Sequence, residues 1–285
     1  MHIAEDRTGF DVLRRPGGAP LVRQNTNRGE RPYLHPVMAP DGVGEVTENA
    51  PAHLPWQHGI YVGLNDVNGI GFWTEGLLPE RNHLDGTFDI RESVALNSSA
   101  HAAAWQVRTR YREPVGSGVL DETQTWTLND TGNSYSLDLD WTLTGIVDVT
   151  FGQWHYGGPF IRVPFREEVG GTVLTSEGAT TNDVAEQKRA RWVSLSIPLP
   201  ERGAEREPSI SVSIMDHPAN PDFPVPWRVD KQLGVGPSRC ILGAWHLAAG
   251  ETVTHRHRFL VTIGAPEAAV IEASYNDFSQ RGTPS

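Results

Sequence analysis

The chain has 285 residues, 24 Lys plus Arg against 35 Asp plus Glu, and a formal net charge of -11. That balance excludes a protein built on a basic nucleic-acid face, and no apolar run approaches the ~20 residues that span a bilayer. The single cysteine, Cys240, excludes an intrachain disulfide and a cysteine-ligated zinc or iron–sulfur centre. Hydrophobic residues make up 38% and charged residues 21%, a globular profile. The start, Met1 to Asp6, lacks a basic stretch followed by an apolar run. No secretory signal is therefore expected, and the cytoplasm is the default location.

The first 30 residues are polar, with a short strand-like piece from Ala19 to Arg23. Between Arg31 and Gly42, two flanking prolines and the Asp41-Gly42 turn suggest a short strand leading into a loop. Residues 43–52 read as a loop that delivers the chain to 53–76. That stretch gathers His53, Trp56, His58, Tyr61, Asn65, Asp66, Trp73 and Glu75 between glycines. A solvated loop has no need of two tryptophans, and a core strand has no need of two histidines and two acids. The mixture suits a pocket wall.

From about residue 86 to 150 the pattern has period two. Tyr135, Leu137, Leu139, Trp141 and Leu143 alternate with Ser136, Asp138, Asp140 and Thr142, which predicts a half-buried antiparallel strand. Gln106–Tyr111 and Thr123–Leu128 read alike, and Asn129 to Asn133 supplies a hairpin connection. Arg191–Ile197 and Ser209–Ile214 continue the style. Residues 251–263 form the last strand, with Val253, His255, His257, Phe259, Val261 and Ile263 on one face. His255 and His257 are expected there as satisfied core residues, and Cys240 as a small core residue. Residues 266–279 are predicted helical, started by Pro266 and striped by Ala268, Ile271, Tyr275 and Phe278. A short turn is expected over Asp183–Lys188. Many strands, little helix, 29 Gly and 21 Pro predict an all-β antiparallel sandwich with a short C-terminal helix. One domain over residues 1–285 is expected.

Three further clusters join Trp or His to Gly or Pro at strand ends: Trp154 to Arg162, Asp216 to Arg228, and Gly243 to His246. Loops at one end of a sandwich converge, so these stretches can build one site. His35-Pro36, the Pro-Trp-x-His-Gly-Ile-Tyr-Val-Gly run at 55–63 and Phe-Trp-x-Glu-Gly at 72–76 resemble the soluble PmoA-like family, often labelled "methane oxygenase PmoA". His-Tyr-Gly-Gly at 155–158 and Asp-His-Pro-Ala-Asn-Pro at 216–221 carry the same resemblance, which spans about residues 20–264. It implies a galactose-mutarotase-like supersandwich and a place in carbohydrate or keto-sugar metabolism. Oxygenase activity is not carried over, because the membrane methane oxygenase subunit spans the bilayer repeatedly. Family members often show two histidines before the glycine, whereas Gln57 precedes His58 here. A mechanism that needs only His58 survives that departure.

The expected chemistry is proton transfer on a sugar or keto-sugar: epimerisation, β-elimination or glycoside cleavage. His58 and His155 are the expected acid–base pair, with Glu75 as reserve base. Arg162, Asn65 and His217 are expected to hold substrate oxygens. His35, His53, Trp56, Trp73, Tyr156, Asn220 and Trp227 complete the expected binding surface. The expected ligand is a small-molecule carbohydrate; neither nucleic acid nor a membrane is expected as partner, and homo-oligomerisation is left open. No cofactor is expected, a divalent metal held by histidines being the less favoured case. The alternatives are a non-catalytic carbohydrate-binding protein and a metal-dependent oxygenase.

Overall fold

The computed structural model describes residues 1–80, 82–265 and 267–282. The first strands are β1 (His2–Asp6), β2 (Gly9–Leu13), β3 (Pro20–Asn25), β4 (Tyr33–Val37) and β5 (Ile60–Gly63). A run of long strands follows: β6 (Thr87–Ser98), β7 (Ala102–Arg112), β8 (Gly118–Asp130) and β9 (Ser134–Gly145). Next come β10 (Val149–Phe151), β11 (Gly158–Ile161), β12 (Thr172–Thr175), β13 (Trp192–Pro198) and β14 (Ser209–Asp216). The last are β15 (Trp227–Val229), β16 (Val235–Pro237), β17 (Trp245–Leu247) and β18 (Thr252–Ile263). Two helices accompany them among the described residues, α1 (Asn182–Ala185) and α2 (Ala268–Ser279).

Among the described residues, sixteen strands form two eight-stranded antiparallel sheets, and β10 pairs with β17 in a separate antiparallel ribbon. The first runs β1-β2-β3-β4-β5-β11-β16-β15 and the second β12-β13-β14-β18-β9-β8-β7-β6. The period-two residues of β9 behave as their spacing requires. Tyr135, Leu137, Leu139, Trp141 and Leu143 are buried, while Asp138, Asp140 and Thr142 are half-buried on the other face. The expected hairpin joins β8 to β9, with Leu128 opposite Leu137. Val12, Val22, Leu34, Ile60 and Val62 of the first sheet share one apolar core with Trp105, Trp126, Leu137 and Phe259 of the second. Each such side chain contributes about 1.5–3 kcal/mol on burial.

The C-terminal helix covers the outer face of the second sheet. Ile271, Tyr275 and Phe278, spaced to share one helix face, meet Trp192, Met215 and Leu260. Arg258 of β18 ties the helix down, bonding Asp138 at 2.6 Å and Asp277 at 2.9 Å. Pro266, expected to open this helix, lies outside the described residues.

One acid sits deep in the core. Glu122 of β8 is 1% exposed and accepts bonds from Tyr111 Oη (3.0 Å), Trp141 Nε1 (2.8 Å) and Gln124 Nε2 (3.0 Å). Burial pushes its carboxyl up to about 7, against the pull of those three donors. An acid raised on folding destabilises the fold once pH exceeds its unfolded value, and fully so above its folded one. Glu122→Gln is therefore expected to gain roughly 3 kcal/mol on the wild type as pH rises from 4.5 to 7. Urea midpoints at pH 5 and pH 8 check this; a difference that does not change with pH contradicts it.

Candidate active site

The outer face of the first sheet carries an aromatic layer. Alternation along β4, β5 and β11 turns Leu34, Ile60, Val62 and Ile161 into the core. Tyr33, Tyr61 and Phe160 therefore point the other way, where Trp73 joins them from the turn that follows β5. Gly63 makes this possible. A Cβ there would lie 2.6 Å from the Trp73 ring and 2.7 Å from the Arg31 guanidinium, so only a glycine admits both.

Arg31, Glu75 and His58 form a buried chain beneath this layer. Arg31 is wholly buried, and its guanidinium lies 4.8 Å from the Tyr61 ring centre. Its Nε and its backbone N–H both donate to Glu75 Oε1 at 2.9 Å, and Nη2 bonds the Trp73 carbonyl. Glu75 holds a left-handed φ of 53°, a conformation that costs a non-glycine residue about 1 kcal/mol or more and here aims its carboxylate inward. Its second oxygen, Oε2, lies 2.8 Å from His58 Nε2. Burial alone would raise the Glu75 carboxyl, but the Arg31 charge and the His58 bond outweigh it and hold it at about 2. Glu75 is thus a carboxylate at neutral pH and can only accept.

That fixes the imidazole. With a carboxylate at Nε2, the proton of a neutral His58 sits on Nε2 and the lone pair on Nδ1. Nδ1 lies 2.7 Å from Asn49 Oδ1, an acceptor, so Nδ1 can take a proton only once the Asn49 amide turns or moves away. Tyr33 stacks on the ring at 4.5 Å between centroids and 18° between planes. Bonds on both edges and a stack on one face leave His58 a single orientation.

Asn49 is exposed and forms part of the wall of a cleft of about 580 Å³, with His35, Thr47, Glu48 and Arg166. His35 Nδ1 bonds Thr47 Oγ1 at 3.0 Å, and burial holds this imidazole below its usual range, hence neutral. A second cleft, of about 760 Å³, shares Glu48 and Arg166 and includes His53. His53 Nε2 bonds Gln232 at 2.9 Å. Both volumes fall within the roughly 300–1,000 Å³ of small-molecule sites.

The structure separates the expected acid–base pair. β5 and β11 run antiparallel with Ile60 opposite Ile161 and Gly63 opposite Gly158. His58 precedes Ile60 and His155 precedes Gly158, so they stand beyond opposite ends of that strand pair. His155 is exposed, 3.3 Å from Gln187 Nε2. Tyr156 bridges part of the gap, half-buried on Trp73 at 4.1 Å, with Trp56 at the rim of the same layer.

Other expected contacts prove structural. Arg162 is 1% exposed, with Nε on Glu48 at 3.3 Å and Nη1 buried without a partner, so it lies behind Glu48 and not on an open surface. Trp227 is fully buried, its indole donating to the Ala190 carbonyl at 2.8 Å, which leaves no stacking face. His217 lies under the C-terminal helix, edge-on to Phe278 at 4.9 Å, and accepts the Ala219 N–H at 3.1 Å. Asn220 clamps the backbone of Arg256 on both sides, at 2.7 Å each, and also donates to Asp216. Asn65 is buried in the turn after β5, at the end away from His58. Sequence reasoning missed Arg31 and Asn49. Their one signal is placement: Arg31 just before β4, which carries His35, and Asn49 in an isolated bridge with His58. Among the described residues no group of three or more His, Cys, Asp or Glu is placed to hold a metal ion. No helix among them is long and apolar enough to cross a membrane.

Residues 15–276 match the family described as "Family of unknown function (DUF6807)". The chain belongs to that family. The PmoA-like label expected from the motifs is not shown by this match. No curated protein matches the chain. Among solved structures, DUF6807 as seen here is similar to a galactose mutarotase-like protein from Lactobacillus casei ATCC 334, with 13% identity, 92% of this chain and 99% of that one covered, and a TM-score of 0.39. A galactose mutarotase related enzyme from Lactobacillus acidophilus gives 11% identity, 94% and 98% coverage, and a TM-score of 0.38. A GH36 alpha-galactosidase from Geobacillus stearothermophilus gives 9% identity, 93% of this chain, 41% of that one, and a TM-score of 0.38. At such scores these likenesses assign no role to any residue.

Proposed function

We propose that this DUF6807 protein is a carbohydrate-active enzyme in which His58 exchanges a proton with a sugar or keto-sugar held in the His35–Asn49 cleft. The observation that carries the reading is the Glu75–His58 bond, with the carboxylate locked on Arg31. With Nε2 on Glu75, Nδ1 is the nitrogen that faces Asn49 on the wall of the cleft. A substrate hydroxyl or C–H displaces the Asn49 amide and meets Nδ1. A carbonyl next to the C–H makes it acidic enough for an imidazole to remove its proton. Glu75 then stabilises the imidazolium that forms, as a carboxylate behind a catalytic histidine does. Protonation of the intermediate from the opposite face by water gives epimerisation, with the first proton left on His58 and then lost to solvent, and departure of a group on the next carbon gives β-elimination. Thr47, Glu48, Asn49 and neutral His35 supply donors and acceptors suited to hydroxyls.

Asn49 favours a second reading. It caps Nδ1 in the free protein, which is what a non-catalytic sugar-binding site would tolerate. A screen of neutral glycosides and their oxidised keto forms, read by calorimetry and by product NMR, tests both. Turnover supports the enzyme, and saturable binding without turnover supports the binding protein. Absence of binding by every sugar removes both. The oxygenase alternative is checked by elemental analysis of purified protein, where a stoichiometric transition metal would favour it.

A further inference from the structure

The stretches around Gly157, Asp216 and Trp245 meet at the other end of β5 and β11, around a second chamber between the two sheets. From the second sheet it takes Trp141, Asp216, His255 and His257. Their places follow from register: His257 stands opposite Asp216 on β14, and His255 opposite Trp141 on β9. From the first sheet Gly157 and Gly158 close over it. A Cβ on Gly157 would lie 3.0 Å from Cys240 Sγ, and one on Gly158 2.8 Å from the Pro237 carbonyl. Both glycines have φ in the region that other residues avoid, +150° and +136°. The close lid thus depends on them.

The chamber is lined by polar atoms without partners. His255 Nε2, His257 Nδ1 and Trp245 Nε1 are all buried and make no hydrogen bond to nitrogen or oxygen, the Cys240 thiol beside the indole being a weak acceptor. Buried polar atoms are almost always paired, because leaving one unpaired costs the desolvation of that group. Here they lie around one cavity of about 20 Å³, room for about one water-sized oxygen. The charges narrow the choice of ligand. Burial holds His257 far below its usual range and His255 at about 4, so both imidazoles are neutral. Asp216, pushed up to about 6 by burial, already accepts from Asn220 (2.7 Å) and the Val225 N–H (3.1 Å). Its Oδ1 stops 3.8 Å from His257 Nδ1, beyond a direct bond. The cation on the wall, Arg239, is spent on Asp222 at 2.6 Å and lies over Trp245 at 4.5 Å. No unspent positive charge lines the chamber for an anion, and its histidines and acid are not grouped as metal ligands. A neutral hydroxyl fits: it accepts from the Trp245 N–H and donates to an imidazole lone pair.

We propose that this chamber is a second binding site, which takes one hydroxyl of a small uncharged polyol. It is independent of His58 and goes beyond the proton-transfer reading above. The test uses the full chain with ¹⁵N-labelled histidine, titrated with glycerol. Saturable shifts of the His255 and His257 ring nitrogens are expected, and His58→Ala should keep them. His257→Phe, which fills the chamber, should abolish the His255 shift. Trp245→Phe removes the donor yet keeps the ring stacked on Phe151, 3.7 Å away, and should weaken glycerol about three- to tenfold. Shifts that grow linearly without saturating, equal shifts in His257→Phe and Trp245→Phe, or a glycerol-soaked crystal holding water alone in the chamber would overturn the proposal.

Discussion

Arg31→Met is expected to lower stability by roughly 3–5 kcal/mol, the largest loss from any single change at this site. The size comes from the partner left behind. Glu75 has a side chain only 5% exposed, and without Arg31 it keeps the burial penalty while losing its main compensation. The double variant Arg31→Met/Glu75→Leu is expected to regain a good part of the loss, since an apolar pair needs no compensation. Chemical denaturation of the two single variants and the double variant measures this coupling. Strict additivity would mean that the pair does not hold the site together. The pair also predicts an acid limb. Glu75 falls from an unfolded value of 4.5 to about 2 on folding, so its contribution is complete above pH 4.5 and drains away as pH falls towards 2. Glu75→Gln should flatten that limb.

The second large effect is on turnover. His58→Ala is expected to reduce kcat about 10²–10⁴-fold on whichever sugar the screen identifies, the range for loss of a general base. Glu75→Gln should fall between wild type and His58→Ala. It leaves the ring in place but removes the charge that sets the tautomer and steadies the imidazolium. His155→Ala should stay within a few-fold of wild type, because the register of β5 and β11 carries His155 away from His58. Steady-state kinetics on the three variants, with circular dichroism as the folding control, checks the ordering. A His155→Ala loss equal to that of His58→Ala would contradict it.

Local patterns were readable and long-range partners were not. The alternation of β9, the 129–133 connection and the C-terminal helix stripe are set by neighbours two to four positions away, and each appears where the residues require. The 53–76 stretch revealed itself by composition, and His58, Trp73 and Glu75 do come together there. Arg31 did not, since Arg-Pro-Tyr is ordinary loop chemistry until β4 pairs with β5 and sets Tyr33 opposite Tyr61. His155 was misplaced for the same reason: a motif says that a loop lies at a strand end, but only pairing direction says which end. His255 and His257 face inward as their spacing demands. Their lack of partners depends on how β9, β14 and the Trp245 segment surround them, which no single strand encodes. Trp227 shows the limit of counting aromatics, because an indole that packs and an indole that stacks on ligand look alike in one dimension.

Hydrogen–deuterium exchange at a substrate carbon, followed by proton NMR in D2O with a keto-sugar that binds the cleft, tests the His58 reading most directly. Wash-in of deuterium next to the carbonyl is expected with wild type and with His155→Ala, and should disappear with His58→Ala. Undiminished wash-in with folded His58→Ala would contradict the account.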